Sequence, residues 1–264
     1  MKLKLFQVDA FAQNTFEGNP AAVCPLDKWL DEALLQQIAQ ENNLSETAFF
    51  VPFKKGFQLR WFTPLEEVDL CGHATLAAAH VLFTHLPEYL TINDHEITFY
   101  THSGELRVSQ SLKGMCMDFP SVASKVIAAP SDLLAGLNGM RPLQVLAGSD
   151  YLVILENEQA VKDCDPDFSH WGKLDLRGVI ITAKGLHHDF VSRCFFPKLG
   201  VDEDPVTGSA HCQLVPYWHQ KLNINQFHAL QASKRSGQLN CEIKGDRILL
   251  TGKCVDYLIG EIHV

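Results

Sequence analysis

The sequence lacks the short motifs that announce the common cofactors. Across 264 residues there is no Gly-x-Ser-x-Gly, no P-loop and no Gly-x-Gly-x-x-Gly, so serine-hydrolase, nucleotide-triphosphate and nicotinamide readings have nothing to stand on. Eight cysteines are present (24, 71, 116, 164, 194, 212, 241 and 254), but no two form a Cys-x-x-Cys pair, which removes zinc-ribbon and dithiol-redox readings. Their wide scatter in a chain of this length favours free thiols in a reducing compartment. No apolar run approaches the roughly 20 residues that a membrane helix needs. The first nine residues alternate like a strand and meet Asp9 too early for a signal sequence. The expectation is a cytoplasmic protein with no membrane partner. Positive charge is also short: 22 Lys and Arg against 31 Asp and Glu, a net charge of −9. That balance argues against nucleic acid as a partner, so an anionic ligand must be held by local groups.

What is present is an ordinary globular composition, with 46% hydrophobic and 20% charged residues. The length suits one large domain or two modest ones. Leu3 to Val8 reads as a strand with Leu3, Leu5 and Gln7 on one face. Glu17-Gly18-Asn19-Pro20 is a turn signal, followed by an apolar strand at residues 21–24. Leu30, Leu34, Leu35, Ile38 and Ala39 fall at helical spacing, which predicts a helix from about Asp27 to Asn42. Strands follow at 48–51 and 57–62. Residues 74–83 are apolar on nearly every side, as expected of a helix wrapped by sheet.

The chain then repeats itself. Phe57-x-x-Arg60-x-Phe62-x-Pro64 recurs as Phe190-x-x-Arg193-x-Phe195-x-Pro197. Gly72-His73-Ala74 recurs as Gly208-Ser209-Ala210 after three extra residues, and Ser103-Gly104-x-Leu106 recurs as Ser236-Gly237-x-Leu239. Apolar strand composition alone would not match Arg, Pro and Gly together, in the same order. The fold class expected is α+β: two pseudo-symmetric halves, each a strand-rich unit around a central helix. The halves are placed at residues 1–114, completed by a last strand at 257–264, and at residues 115–256.

Both repeated glycines open helices. Gly200 to His211 reads as a tight acidic turn running into a helix, and Asp69-Leu70-Cys71-Gly72-His73 is built alike. Such helix starts present unpaired N–H groups and partial positive charge, which favour a carboxylate. Chemistry then needs an acid or base. Glu46, at the mouth of a buried strand, is either that group, with burial raising its pKa toward neutrality, or a local turn cap. His73 at a helix start is expected to be neutral, as a ligand-facing or a structural imidazole. Asp204 and Ser209 either orient a ligand or form a turn. Cys71 is a candidate activated thiolate, but its counterpart in the repeat is Thr207, so a symmetric pair of thiol bases is absent. His187-His188 lacks a ligand partner at metal spacing.

The blocks Gln7-Val8-Asp9-Ala10-Phe11, Gly18-Asn19-Pro20-Ala21-Ala22-Val23, Ser45-Glu46-Thr47-Ala48-Phe49, Cys71-Gly72-His73-Ala74-Thr75 and Glu203-Asp204-Pro205-Val206-Thr207-Gly208-Ser209-Ala210-His211 resemble the PhzF-like isomerases of phenazine biosynthesis. The resemblance implies a diaminopimelate-epimerase-like fold, each half a barrel-like β-sheet around its helix, with the site in the cleft between the halves. It implies that Glu46 shuttles a proton and that His73, Asp204 and Ser209 line the site. Asn19 and the backbone at Gly72 and Gly208 would hold the substrate's carboxylate. It implies no metal, no organic cofactor and a homodimer. Related epimerases of this fold use two cysteines, of which only Cys71 is matched here.

The function expected is therefore cofactor-independent isomerisation of a small carboxylic acid by proton transfer between carbons. The alternatives are an epimerase or racemase of a small amino or hydroxy acid using Glu46 with Cys71, and a non-catalytic metabolite-binding protein.

Overall fold

Apolar runs bounded by Gly, Pro and Asn become strands throughout the chain, and the few long helical patterns become helices laid on them. A computed structural model describes residues 1–90 and 95–264. The chain divides into two compact units, Met1–Asp118 with Thr251–Val264, and Phe119–Leu250.

The first unit contains β1 (Lys2–Ala10), β2 (Asn19–Pro25), α1 (Glu32–Asn42), β3 (Glu46–Phe53), β4 (Gly56–Phe62), β5 (Glu67–Val68), α2 (Gly72–His85), β6 (Glu96–Thr101), β7 (Gly104–Ser111) and most of β8 (Gly114–Pro120). The second contains β9 (Lys125–Val126), α3 (Ser131–Gly136), β10 (Gln144–Ala147), β11 (Tyr151–Ile154), α4 (Glu158–Asp163), α5 (Phe168–Trp171), β12 (Val179–Lys184), β13 (Phe190–Phe196), β14 (Val201–Asp204), α6 (Gly208–Leu222), β15 (Gln226–Gln231), β16 (Gly237–Lys244) and most of β17 (Arg247–Gly252). The last strand, β18 (Cys254–His263), returns to the first unit and pairs antiparallel with β1 along its whole length. On its other side β1 pairs antiparallel with β2, which runs parallel to β3.

Both faces of this sheet are covered, so β1 does not show the single apolar face expected of it. Leu3 and Leu5 pack toward the cluster of Leu35, Ile38, Phe49 and Phe62 under α1. Phe6, Val8 and Ala10, on the opposite face, are buried. Helix α2 packs against β1, β2 and β3. Its residues from His73 to Ala79 are all buried, which is why an all-round apolar sequence suits it.

Two expected boundaries move. Helix α1 begins at Glu32 rather than near Asp27, because the Asp31 carboxylate accepts from the Ala33 N–H at 3.0 Å and fixes the start. It ends where Asn43 turns left-handed (φ 48°). The acidic stretch before Gly208 is not simply a tight turn. Residues 201–204 form β14, whose Val201 and Asp204 pair with Phe196 and Cys194 of β13 across a bulge. Gly18 is required at its turn: φ is +69°, and a Cβ there would stand 2.2 Å from the Ala10 carbonyl oxygen.

Helix α6 runs through Pro216, which cannot donate to the Cys212 carbonyl one turn back. That carbonyl accepts instead from the Val122 N–H at 2.9 Å, so the break in the ladder leaves no orphan there.

Candidate active site

Three neighbouring side chains in the first unit, Glu46, Cys71 and His73, form a titratable cluster. Glu46 is the first residue of β3 and His73 the second residue of α2. His73 Nε2 lies 3.1 Å from Glu46 Oε2, without completing an aligned hydrogen bond, so the two attract chiefly as charges. The other imidazole nitrogen, Nδ1, lies 3.5 Å from the sulfur of Cys71, the N-cap of α2. Glu46 keeps 18% of its side chain exposed and His73 only 7%, while the facing atoms Glu46 Oε2 and His73 Nε2 are both buried.

The electrostatics reverse two expectations. Burial by itself would raise the Glu46 carboxyl, but the neighbouring His73 charge, with a smaller contribution from Cys71, brings it below its ordinary 4.5. Burial by itself would also strip His73 of its proton. The neighbouring Cys71 sulfur and Glu46 carboxylate outweigh that and hold it well above its ordinary 6.5. Both shifts favour the charged forms, carboxylate and imidazolium, over a raised acid beside a neutral ring. Burial and the Glu46 charge push the Cys71 thiol up to about 11, so it is no activated thiolate despite its place at a helix start.

Asn19 sits behind this cluster, fully enclosed, and its amide oxygen accepts from the Ser45 hydroxyl at 3.1 Å. Ser45-Glu46 is therefore no self-contained turn: Ser45 reaches Asn19 and Glu46 reaches His73.

The second unit builds a comparable helix start. Thr207 is the N-cap of α6, as Cys71 is of α2. Its hydroxyl donates to Asp204 Oδ2. Buried Gln231 of β15 braces this turn. Its carbonyl accepts from the Thr207 N–H at 2.8 Å, and its amide donates to the Asp204 carbonyl at 2.8 Å and to the Thr207 hydroxyl at 3.2 Å. Ser209 is exposed and accepts from Arg177 at 3.2 Å. Arg177 is itself clamped by buried Asp150 at 2.9 and 2.6 Å. Gly208 is buried in the first turn of α6.

The repeated blocks carry matching contacts. Arg60 pairs with Glu67 through two guanidinium nitrogens, and Arg193 pairs likewise with Glu203. One turn into each helix a side chain donates to the N-cap carbonyl: Thr75 to Cys71 at 2.6 Å, and His211 to Thr207 at 2.9 Å. Burial pulls the His211 pKa down to about 4, so it is a neutral ring donating from Nδ1.

Residues 8–260 match the family described as phenazine biosynthesis-like protein. The chain belongs to the phenazine biosynthesis-like (PhzC-PhzF) family. A Pseudomonas aeruginosa protein named as an uncharacterized isomerase is 48% identical over 264 residues, covering 100% of both chains. The crystal structure of a PhzF-family protein from Enterococcus faecalis matches with a TM-score of 0.96 at 45% identity, covering 100% of both chains. A hydroxyproline epimerase from Agrobacterium vitis shares the fold at 9% identity, with a TM-score of 0.64 over 99% of this chain and 92% of its own. As a member of the PhzF family with close relatives named isomerases, the protein is an isomerase, and its mixed sheets with few helices make it α+β.

Within this PhzF-family chain, the structure joins Glu46, His73 and Cys71 in one cluster and places Gly72 at the helix start beside them. In the second unit Asp204, Gly208 and Ser209 lie together around the start of α6. Gln231, Arg177 and Asp150 carry no local signal for these roles: Gln231 lies 24 residues from Thr207, Arg177 lies 32 from Ser209, and Asp150 lies 27 from Arg177. Glu67 and Glu203 were within reach of the repeat, each five residues before the matched glycine.

Metal ligation is open to two groups among the described residues. Donor atoms of Glu46, Cys71 and His73 lie within 4.8 Å of one another, as do those of His80, His85 and Asp256. The first group would have to surrender the proton of a thiol whose pKa is about 11.

Proposed function

We propose that the protein moves a proton between carbons of a small carboxylic acid, shifting a double bond, with Glu46 as the acid and base. The observation that carries this reading is Glu46 Oε2 held 3.1 Å from the buried His73 imidazole, with part of the Glu46 side chain open to solvent. Glu46 takes a proton from a carbon next to an electron-withdrawing group and becomes a carboxylic acid, while the electron pair spreads over the substrate. It then returns the proton to a different carbon, so that the substrate gains and loses one proton overall. His73 supplies positive charge to the delocalised anion and orients Glu46. No metal or organic cofactor enters these steps.

N–H groups at the helix starts of Gly72 and Gly208 are suited to the substrate's carboxylate. Asp204 and Ser209 orient its remaining polar groups, the first fixed by Thr207 and the second by Arg177. Asn19 supports the site through Ser45 rather than from an open surface. The recurrence of the Arg–Glu pair, the N-cap and the i+4 bond supports reading the chain as two pseudo-symmetric copies of one design, each with its sheet curled about α2 or α6.

A thiol-based epimerisation is the competing reading, because Cys71 touches His73, but its high pKa argues against it. Variants separate the two. Glu46→Gln should keep ligand affinity by calorimetry and lose turnover, whereas Cys71→Ser should retain most of its turnover. The opposite pattern assigns the base to Cys71, and binding without turnover in wild type points to a metabolite receptor.

The homodimer expectation is supported by apolar side chains left open on the first unit: Phe16, Tyr257 and Ile259 are 67%, 50% and 59% exposed. Sedimentation equilibrium should give twice the 29.5 kDa chain mass; a monomer across the concentration range rejects the dimer. Eight free thiols fit a reducing, cytoplasmic setting.

A further inference from the structure

A second constellation lies further along α2. His80 Nε2 is 3.0 Å from Asp256 Oδ1, and His85 Nε2 is 2.9 Å from Asp256 Oδ2. Seven residues separate His80 from His73, about 10 Å along a helix axis, so this group is distinct from the Glu46 cluster. The three side chains are 15%, 20% and 32% exposed, buried enough to be fixed and open enough to admit a solute.

An irregularity in the sheet aims Asp256 at the helix. Along β1 and β18, Leu3, Leu5 and Gln7 pair with Ile262, Gly260 and Leu258, but Val8 pairs with Asp256. Tyr257 is therefore an extra residue in β18. In a regular strand Asp256 would share a face with Leu258, opposite Gln7. The bulge moves it to the face of Phe6 and Val8, where α2 packs. The His85 ring is in turn stacked on Phe6 with centroids 5.2 Å apart, and the Thr84 hydroxyl lies 3.5 Å from His80 Nδ1. His85 is the last residue of α2, where the helix dipole favours positive charge.

We propose that His80, His85 and Asp256 form a binding site for a divalent transition-metal ion of the zinc class. Two imidazole nitrogens and one carboxylate are a nitrogen–oxygen donor set suited to zinc, with a fourth position left for water. Bond lengths of about 2.0–2.1 Å in a tetrahedron set ligand atoms about 3.3 Å apart. Both imidazole nitrogens and one carboxylate oxygen lie within 4.8 Å of one another, and each nitrogen is 2.9 or 3.0 Å from its own oxygen of Asp256, so a modest side-chain adjustment brings the three donors around an ion. Ligation moves the Nε2 hydrogens that now face Asp256 to Nδ1 or to solvent but removes no proton from a thiol, unlike the Glu46, Cys71 and His73 group. A bound ion ties β18 to the end of α2, so it acts as a staple on the returning strand.

The test uses the full chain freed of metal by dialysis, titrated with zinc chloride by calorimetry and with cobalt(II) by absorption. One zinc per chain is expected, with affinity lowered roughly 100-fold or more in His80→Gln, His85→Gln or Asp256→Asn and unchanged in Cys71→Ser. Cobalt should give ligand-field bands without thiolate charge transfer. Nitrogen NMR of the wild-type imidazoles, with and without zinc, asks the same question if a variant does not fold: His80 and His85 Nε2 should shift. The proposal is overturned if zinc does not bind, if binding survives the three substitutions, or if the cobalt spectrum carries a thiolate band that Cys71→Ser removes.

Discussion

At the residue scale the account rests on one charge pair. Glu46 and His73 could each have been neutral, since both are largely removed from water. The His73 charge at 3.1 Å outweighs desolvation for Glu46, and the Cys71 sulfur together with the Glu46 carboxylate does so for His73. The pair makes stability depend on pH in a definite way. Because the folded value of Glu46 is lowered, its contribution is present above the ordinary 4.5 and lost as pH falls through the folded value. Because the folded value of His73 is raised, its contribution is full below the ordinary 6.5 and lost as pH rises through the folded value. Thermal unfolding of His73→Gln should therefore lack part of the alkaline decline seen in wild type. Parallel melting curves from neutral to alkaline pH in the two proteins would show that no imidazolium is held there. The residue types of this cluster were legible in the sequence, whereas its protonation was not. The helix start by itself favours a neutral His73, whereas the adjoining Cys71 sulfur and the Glu46 carboxylate, 27 residues away, pull it toward the protonated form.

At the element scale the two helix starts are held by different means. Cys71 caps α2 without a side-chain cap bond, while Thr207 is locked by Asp204 and Gln231. Replacing Gln231 by Leu leaves the buried Thr207 N–H unpaired, which should cost about 1–3 kcal/mol in urea unfolding. A loss below about 0.5 kcal/mol would mean that the turn holds itself and Gln231 is dispensable. Elements defined by local chemistry were readable in advance: the apolar α2, the strands flanked by Gly and Pro, the left-handed stop at Asn43. Those set by distant partners were not. Pro216 argues locally for the end of α6, yet the helix continues because Val122 accepts the task of pairing the Cys212 carbonyl. The strand at 201–204 depends on pairing with β13 and reads locally as an acidic turn.

At the scale of the whole molecule, sequence repetition was the most informative signal. The matched Arg, Pro and Gly positions led to matched Arg–Glu pairs and N-caps in the two units, whereas single-residue propensities would have found neither. The return of the C-terminal strand to β1 makes the first unit depend on both ends of the chain. Deleting residues 254–264 should expose the β1 amides to hydrogen exchange while β12 and β13, whose partners lie within the second unit, keep their protection. Equal loss of protection in both regions would mean that the units do not hold their structure separately.

The central claim is that Glu46 carries a proton from carbon to carbon. The most direct measurement is hydrogen–deuterium exchange at carbon, read by NMR in heavy water. It would use a panel of small amino and hydroxy carboxylic acids that includes dihydro-hydroxyanthranilate. The account predicts solvent deuterium at carbon of at least one compound with wild type, and a rate about 100- to 10,000-fold lower with Glu46→Gln. Equal exchange by both proteins would contradict it.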